Sequence, residues 1–277
     1  MMMRRNEIGC LMGVCLLLTA CGGGSTGGTA AVAPIPAPPP APATPPPTPM
    51  APVPASASTE FTSVGSDIKI RYDAGSQKYE IMLPGQNWSV LTPESKSDYA
   101  FAGSGGAKTF VHFLNEAGKF NYTGFAGVHD SEKSLGDFAY GIATAASAVP
   151  VTGTASYTAD LMGRGEFYSI GGTAKLNFDF AKGALSGSMK LDGNDPAGWG
   201  PYDFGTYNFV RTVYSVGSPS FSGELTNANN NALGGSFSGI FTGPAAQELM
   251  GQWKLQIRDI YEPNRTIDAS GVMVGKQ

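Results

Sequence analysis

The stretch Thr173-Ala174-Lys175-Leu176-Asn177-Phe178-Asp179-Phe180 alternates strictly between polar and apolar side chains. Successive side chains of a β-strand point to opposite faces, so this pattern predicts a strand with one apolar and one polar face. From residue 151 onward, about seven or eight such segments follow one another, separated by turn residues. Their number and length predict an all-β domain, a small closed antiparallel β-barrel of about eight strands.

A short unit, apolar-Ser-Gly-x-apolar, occurs three times in this half of the chain. It reads Leu185-Ser-Gly-Ser-Met189, Phe221-Ser-Gly-Glu-Leu225 and Phe237-Ser-Gly-Ile-Phe241. Period two puts each glycine on the same face as its two apolar neighbours. An inward glycine lets a narrow barrel bend and leaves room for large side chains from opposite strands. The side chains expected to fill the interior are Phe178, Phe180, Phe221, Phe237, Phe241 and Trp253.

Residues 233–253 read Leu-Gly-Gly-Ser-Phe-Ser-Gly-Ile-Phe-Thr-Gly-Pro-Ala-Ala-Gln-Glu-Leu-Met-Gly-Gln-Trp. They closely resemble the barrel signature of the transferrin-binding protein B-like lipoproteins, Gly-x-Phe-x-Gly-x-Phe-x-Gly-Pro-x-Ala-x-Glu, followed by glycine and an aromatic residue. Gly235 through Glu248 match this signature, with Gly251 and Trp253, while Met250 stands where many members have glycine. The resemblance extends over residues 110–277 and is strongest after residue 150.

The resemblance implies a non-enzymatic binding module that captures a protein or an iron-bearing solute through loops. Family members such as transferrin-binding protein B and factor H-binding protein use loops at one end of a barrel and of an adjoining β-rich handle domain. Residues 61–150 resemble the handle and residues 151–277 the barrel. Transferrin-binding protein B carries two such lobes and this chain one, which leaves the partner open. Handle strands are predicted at residues 67–72, 79–83, 109–114, 120–126 and 138–144.

Residues 1–20 have the organisation of a secretory signal peptide. Arg4 and Arg5 precede an uncharged, mostly apolar run over residues 8–18, which is too short to span a bilayer as a helix. Thr19 and Ala20 before Cys21 resemble the bacterial lipobox, in which the cysteine is acylated with groups such as palmitate and becomes the first residue after cleavage. Gly22 follows in place of the aspartate that often means inner-membrane retention. The expectation is a lipoprotein anchored to the outer membrane, at the cell surface or on the periplasmic face.

Residues 21–60 form a linker that cannot build a packed core. No charged residue occurs between Gly22 and Thr59, and prolines dominate residues 34–54. We expect a disordered stalk with polyproline II character. Because Cys10 and Cys15 lie in the signal peptide and Cys21 is expected to be acylated, no disulfide is predicted.

The residues that could support catalysis or metal binding are sparse. His112 and His129 are the only two histidines, and no unmodified cysteine could join them as a ligand. The one Gly-x-Ser-x-Gly match, residues 23–27, lies in the Gly-rich linker and not between a strand and a helix, so no nucleophile elbow is predicted. The net charge of −4 argues against a nucleic-acid partner. We therefore predict no enzymatic activity, no cofactor and no metal site, and expect a monomer.

The remaining candidates are aromatic residues among turn formers. Trp199, Tyr202 and Phe204 lie in Gly198-Trp-Gly-Pro-Tyr-Asp-Phe-Gly205, and Trp88 lies in Gly85-Gln-Asn-Trp88. Such aromatics either contact a partner or fold onto the barrel mouth and start the next strand. Both interpretations stay open.

Three further alternatives are testable against a structure. Glu248 can cap or pair locally at a rigid corner beginning at Gly243 and Pro244, or it can bind a ligand directly. The alternation of polar and apolar side chains is by itself also compatible with a membrane-embedded barrel or pore. A hollow, lipocalin-like carrier of a small ligand is the third alternative, with His112 or His129 as ligands in the case of heme.

Overall fold

The computed structural model describes residues 58–95, 97–103, 106, 108–114, 119–130, 133–166, 168–194, 201–230, 233–262 and 264–277. The predicted signal peptide and Cys21 lie outside these residues, as does the predicted linker up to residue 57. Within the described ranges the chain forms β-strands and short 3-10 turns, such as Ala146–Ala148, with no α-helix. The all-β fold class is therefore confirmed. The described part of the chain contains no helix with the length and apolar character of a membrane span.

The C-terminal half is a closed barrel of eight antiparallel strands. Each strand pairs with the next along the chain, and the last pairs with the first. Its strands are β11 (Thr154–Gly165), β12 (Ser169–Asp179), β13 (Ala184–Asn194), β14 (Pro201–Tyr214), β15 (Ser220–Asn227), β16 (Gly234–Thr242), β17 (Glu248–Arg258) and β18 (Thr266–Lys276).

Aromatic rings fill the barrel interior. The Phe178 ring centroid lies 4.8 Å from that of Phe241 and 5.1 Å from that of Phe221. The centroids of Phe209 and Phe237 are 4.5 Å apart. All six aromatic residues that the sequence predicts to face inward are buried. The filled interior does not fit a hollow, lipocalin-like carrier.

The glycines of the repeated unit permit this packing. A Cβ atom added at Gly239 would lie 2.4 Å from the Phe221 ring, and one at Gly223 would lie 2.7 Å from the Phe237 ring. Each of these rings therefore covers the glycine of the neighbouring strand, as the sequence pattern predicts. A larger residue at either position would displace a ring from the core.

The outer wall of the barrel is polar on β12 and β13, away from the apolar layer that the handle covers. On β12 the outward side chains include Thr173 and Lys175, and on β13 they include Ser186, Lys190 and Asp192. A barrel embedded in lipid presents an apolar band at these positions. The observed wall does not fit the membrane-embedded alternative.

The preceding half, the handle, consists of two sheets with strand orders β1-β3-β4-β5 and β2-β10-β9-β8-β7-β6. A buried cluster that includes Ile70, Ile81, Val111, Phe113 and Phe138 forms its core. The strands are β1 (Thr59–Glu60), β2 (Thr62–Val64), β3 (Lys69–Asp73), β4 (Lys78–Met82), β5 (Ser89–Val90), β6 (Thr92–Pro93), β7 (Asp98–Ala102), β8 (Lys108–Phe113), β9 (Thr123–His129) and β10 (Ser134–Gly141). The five predicted runs correspond to β3, β4, β8, β9 and β10, while β1, β2, β5, β6 and β7 were not predicted.

The handle packs on the outer face of the barrel beside β17 and β18. Phe120, Phe125 and Ala139 of the handle form a buried apolar layer with Met250, Val272 and Val274 of the barrel. Met250 of β17 is completely buried in this layer.

Candidate functional site: the aromatic rim of the barrel

The four connections β11–β12, β13–β14, β15–β16 and β17–β18 all lie at one end of the barrel, because an up-and-down barrel places alternate turns at alternate ends. We call this end the rim. The β16–β17 turn lies at the opposite end, where Gly243 N–H donates to Ile142 C=O of the segment that follows β10. The segment after β10 therefore lies at the end of the barrel opposite the rim, while the handle sheets run along the wall, where Asp137 contacts Arg164 near the rim end of β11.

Four aromatic side chains meet at the rim, two from the β11–β12 and β17–β18 connections and two from the start of β14. Tyr168 is buried, and its ring centroid lies 5.4 Å from that of Phe204, 6.5 Å from that of Tyr202 and 6.4 Å from that of Tyr261. The Tyr168 and Tyr261 rings are stacked, with 19° between their planes. Tyr261 is 55% exposed, while Tyr202 and Phe204 are half-buried. We call these four residues the rim aromatic cluster.

A buried carboxylate holds the cluster in position. Asp259 accepts hydrogen bonds from the Tyr168 hydroxyl at 3.0 Å and from the Tyr261 backbone N–H at 2.9 Å. Arg265 donates to the other Asp259 oxygen at 3.1 Å and also contacts Glu166 of the β11–β12 connection. The hydrogen bond to Glu166 raises the pKa of the Arg265 guanidinium. These bonds hold the Tyr168 ring and the backbone at Tyr261, and the Tyr261 ring stacks on Tyr168.

Two of the predicted partner-binding residues, Tyr202 and Phe204, belong to this cluster. Both lie at the start of β14 and pack over Tyr168, so they begin a strand and cover the mouth of the barrel. Part of each side chain remains exposed. Trp199 lies outside the described residues. Sequence reasoning missed Tyr168 and Tyr261, since each is a single tyrosine in a connection without a motif.

Trp88 lies in the handle, apart from the rim aromatic cluster. The Arg71 guanidinium stacks 4.2 Å above its ring centroid, and Arg71 Nε donates to Glu80 Oε2 at 2.5 Å. The half-buried Trp88 thus packs on a charged face of the sheet that contains β3 and β4. The structure does not bring Trp88 together with Tyr202 and Phe204.

Glu248 pairs over a long distance in sequence, which corrects the expectation of a local cap. Its carboxylate is 3% exposed and accepts hydrogen bonds from the backbone N–H groups of Asn121 and Tyr122, at 2.5 and 2.9 Å. The Thr123 hydroxyl donates to it at 2.9 Å. The predicted corner after Gly243 is present, but Glu248 itself fastens the handle to the barrel. Three donors satisfy the buried charge and leave no room for a ligand role.

The two histidines lie on strands of the handle. His112 Nδ1 lies 2.5 Å from Asp98 Oδ1, and the His129 ring stacks on Phe110 with 5.4 Å between centroids. Hydrogen bonds from Ser95 and His112 lower the pKa of Asp98. Among the described residues, no group of three or more His, Cys, Asp or Glu side chains is arranged to hold a metal ion.

No family model matches the chain, and no curated protein matches it. Among solved structures, the chain is similar to a double mutant of transferrin binding protein B from Haemophilus parasuis Hp5, with a TM-score of 0.49 and 18% identity over 72% of this chain and 40% of that chain. The chain is also similar to isotype 1 transferrin binding protein B from serogroup B Neisseria meningitidis, with a TM-score of 0.45. The two share 16% identity over 80% of this chain and 44% of that chain.

Intact Ap-TbpB, with its N and C lobes, gives a TM-score of 0.41 and 13% identity, over 76% of this chain and 51% of that chain. The chain therefore spans about half the length of these solved structures or less.

Proposed function

We propose that this protein is a lipid-anchored, non-enzymatic binding module that captures a protein partner at the rim of its barrel. The observation that carries the proposal is the rim aromatic cluster, in which Tyr261 is held in place by Asp259 and yet is 55% exposed. Rigid tyrosines that expose an apolar face and a hydroxyl are typical centres of protein interfaces.

The charged groups of the rim support binding over catalysis. Asp259 and Glu166 each pair with Arg265, so these charged groups position the aromatic rings. A general acid or base needs a titratable group aimed at a substrate. The carboxylates of Asp259 and Glu166 are instead held by hydrogen bonds from Arg265, and Asp259 also by bonds from Tyr168 and Tyr261.

The experiment is affinity capture with the mature chain, using host fluids and culture medium as sources, followed by affinity measurement for the captured partner. Double substitution of Tyr202 and Tyr261 by serine is expected to weaken binding by about 10- to 100-fold, since two interface aromatics are removed. Val213→Ser is the matched control, because Val213 is 63% exposed and lies near the opposite end of the barrel. Equal losses in both variants would contradict the proposal.

The handle offers a second candidate surface at Trp88. If Trp88→Ala abolishes capture while the rim double variant retains it, the binding surface is the handle and not the rim. Since Trp88 contributes to the packing of Arg71, circular dichroism of the variant is the necessary control for folding.

Anchoring through Cys21 is a separate part of the proposal. Mass spectrometry of the native protein is expected to find acyl groups on Cys21, and Cys21→Ser is expected to release the protein from the membrane fraction. Protease treatment of intact cells distinguishes a rim that faces the medium from one that faces the periplasm.

A further inference from the structure

A cleft of about 310 Å³ opens where the handle meets the barrel wall. The handle contributes Gly65 and Ser66 from the turn after β2, and the first residues of β10 from Ser134 to Asp137. The barrel contributes Arg164, Lys254 and Ser270 together with Gln252, Trp253 and Gly271. This cleft is separate from the rim aromatic cluster, none of whose residues lines it.

The barrel side of the cleft places two cations on either side of a serine. Arg164 of β11 is paired in register with Ser270 of β18, and Ser270 is paired on its other side with Lys254 of β17. All three side chains point outward from the wall and are exposed. Because neighbouring strands are about 4.8 Å apart, the backbone positions of Arg164 and Lys254 are about 10 Å apart. Both long side chains can therefore reach a group that lies above Ser270.

Arg164 and Lys254 have hydrogen-bond donors that are not paired with other described residues. Arg164 donates from Nε and Nη2 to the Asp137 carboxylate at 2.7 and 2.8 Å, and its Nη1 makes no hydrogen bond within the described part of the chain. Lys254 forms no salt bridge with any described residue. Asp268, the nearest acidic residue along β18, does not line the cleft but lines a neighbouring groove, which Lys254 and Ser270 also line. The cleft therefore carries one net positive charge in a chain of net charge −4.

We propose that this cleft is a binding site for a small oxyanion, a phosphate or a carboxylate, held between Arg164 and Lys254 above the hydroxyl of Ser270. Arg164 Nη1, Lys254 Nζ and the Ser270 hydroxyl supply donors from three adjacent strands, which suits a group with several acceptor oxygens. The volume lies at the lower end of the range for small-molecule sites, so the ligand is a single anionic group or a short acid. The proposal does not depend on the partner of the rim.

The test uses the mature chain with Cys21→Ser, labelled with ¹⁵N, and titrates it with inorganic phosphate, acetate or chloride at constant ionic strength. Phosphate or acetate is expected to shift the amide signals of Gly136 and Ser270, with chloride causing smaller shifts. The stronger of the two oxyanions identifies the ligand class. Equal shifts with chloride would overturn the proposal, because they would report screening alone.

Two variants and a control identify the site. Lys254→Gln is expected to weaken binding by at least about fivefold through loss of one charge-assisted hydrogen bond. Ser270→Glu is expected to abolish binding, since its own carboxylate then occupies the space between the two cations. Lys175→Gln removes an exposed lysine elsewhere on the barrel wall and is expected to leave the affinity unchanged. Wild-type affinity in Lys254→Gln would refute the proposal.

Discussion

The barrel and the handle are both built from antiparallel strands, yet they are stabilised in different ways. Barrel strands run from 8 to 14 residues, and the sheet closes on itself through the pairing of β11 with β18. Handle strands run from 2 to 8 residues in two open sheets. Each region has its own buried core, but only the barrel sheet is closed, and a third apolar layer joins the handle to the barrel wall.

The largest expected effect on stability comes from truncating a ring in the barrel core, and a matched truncation in the handle core tests whether the two regions unfold separately. Phe241→Ala is expected to lower the free energy of unfolding by about 3–5 kcal/mol, because its fully buried ring contacts five other aromatic rings. The same truncation in the handle, Phe113→Ala, is expected to unfold the handle first, while the barrel amides stay protected from hydrogen exchange. Native-state hydrogen exchange measures both. Loss of barrel protection in Phe113→Ala would show that the two halves unfold as one unit.

The next effect tests the fastening between the two regions. Glu248→Gln is expected to destabilise the protein by about 2–3 kcal/mol, since one amide group cannot accept all the hydrogen bonds of the carboxylate. Denaturant unfolding gives the value. Glu224→Gln, an exposed carboxylate paired with Arg211 on the outer wall, is the matched control and is expected to cost at most about 1 kcal/mol. If both variants behave alike, Glu248 does not join the handle to the barrel.

Alkaline pH provides a third test, directed at the barrel core. Burial raises the pKa of Tyr157 from 10.0 to about 12, while a hydrogen bond from Gln277 acts in the opposite direction. The stabilising contribution is therefore complete below pH 10 and is lost as the pH rises towards 12. In this window the unfolded chain releases a proton that the folded chain keeps, which lowers the free energy of unfolding by about 1.4 kcal/mol for each pH unit.

The control for the alkaline effect is Tyr157→Phe, measured by urea unfolding across the same pH range. This variant loses the hydrogen bond to the Ala246 carbonyl but is expected to show a shallower decline with pH. An unchanged slope would assign the alkaline loss to other buried tyrosines, such as Tyr79 of the handle, whose pKa is also raised by burial.

The smallest effect concerns a partly exposed ion pair across the junction. Lys119 of the handle lies 2.5 Å from Asp160 of β11. Lys119→Gln is expected to cost about 0.5–1 kcal/mol. A double-mutant cycle with Asp160→Asn isolates the pair, and a coupling energy near zero would leave Glu248 and the apolar layer as the connection between the regions.

Sequence reasoning was more successful for the barrel than for the handle, and the reason is physical. Long strands such as β12 repeat the two-residue period often enough to be recognised, and inward glycines such as Gly223 and Gly239 mark the close packing of rings. Strands of two residues, such as β1 and β5, contain no complete period.

The candidate site was predictable only in part. Tyr202 and Phe204 stood out because turn residues surround them, whereas Tyr261 becomes significant only through its stacking on Tyr168. The role of Glu248 depends on hydrogen bonds to Asn121 and Tyr122, more than a hundred residues away in sequence. No local pattern contains such a partner.

The pairing of β11 with β18 has a consequence for the order of folding. Thr154–Gly165 is synthesised before every other barrel strand, yet one of its edges remains open until Thr266–Lys276 is available. Long-range pairings of this kind make folding slow. The barrel therefore cannot close until β18 is available to pair with β11.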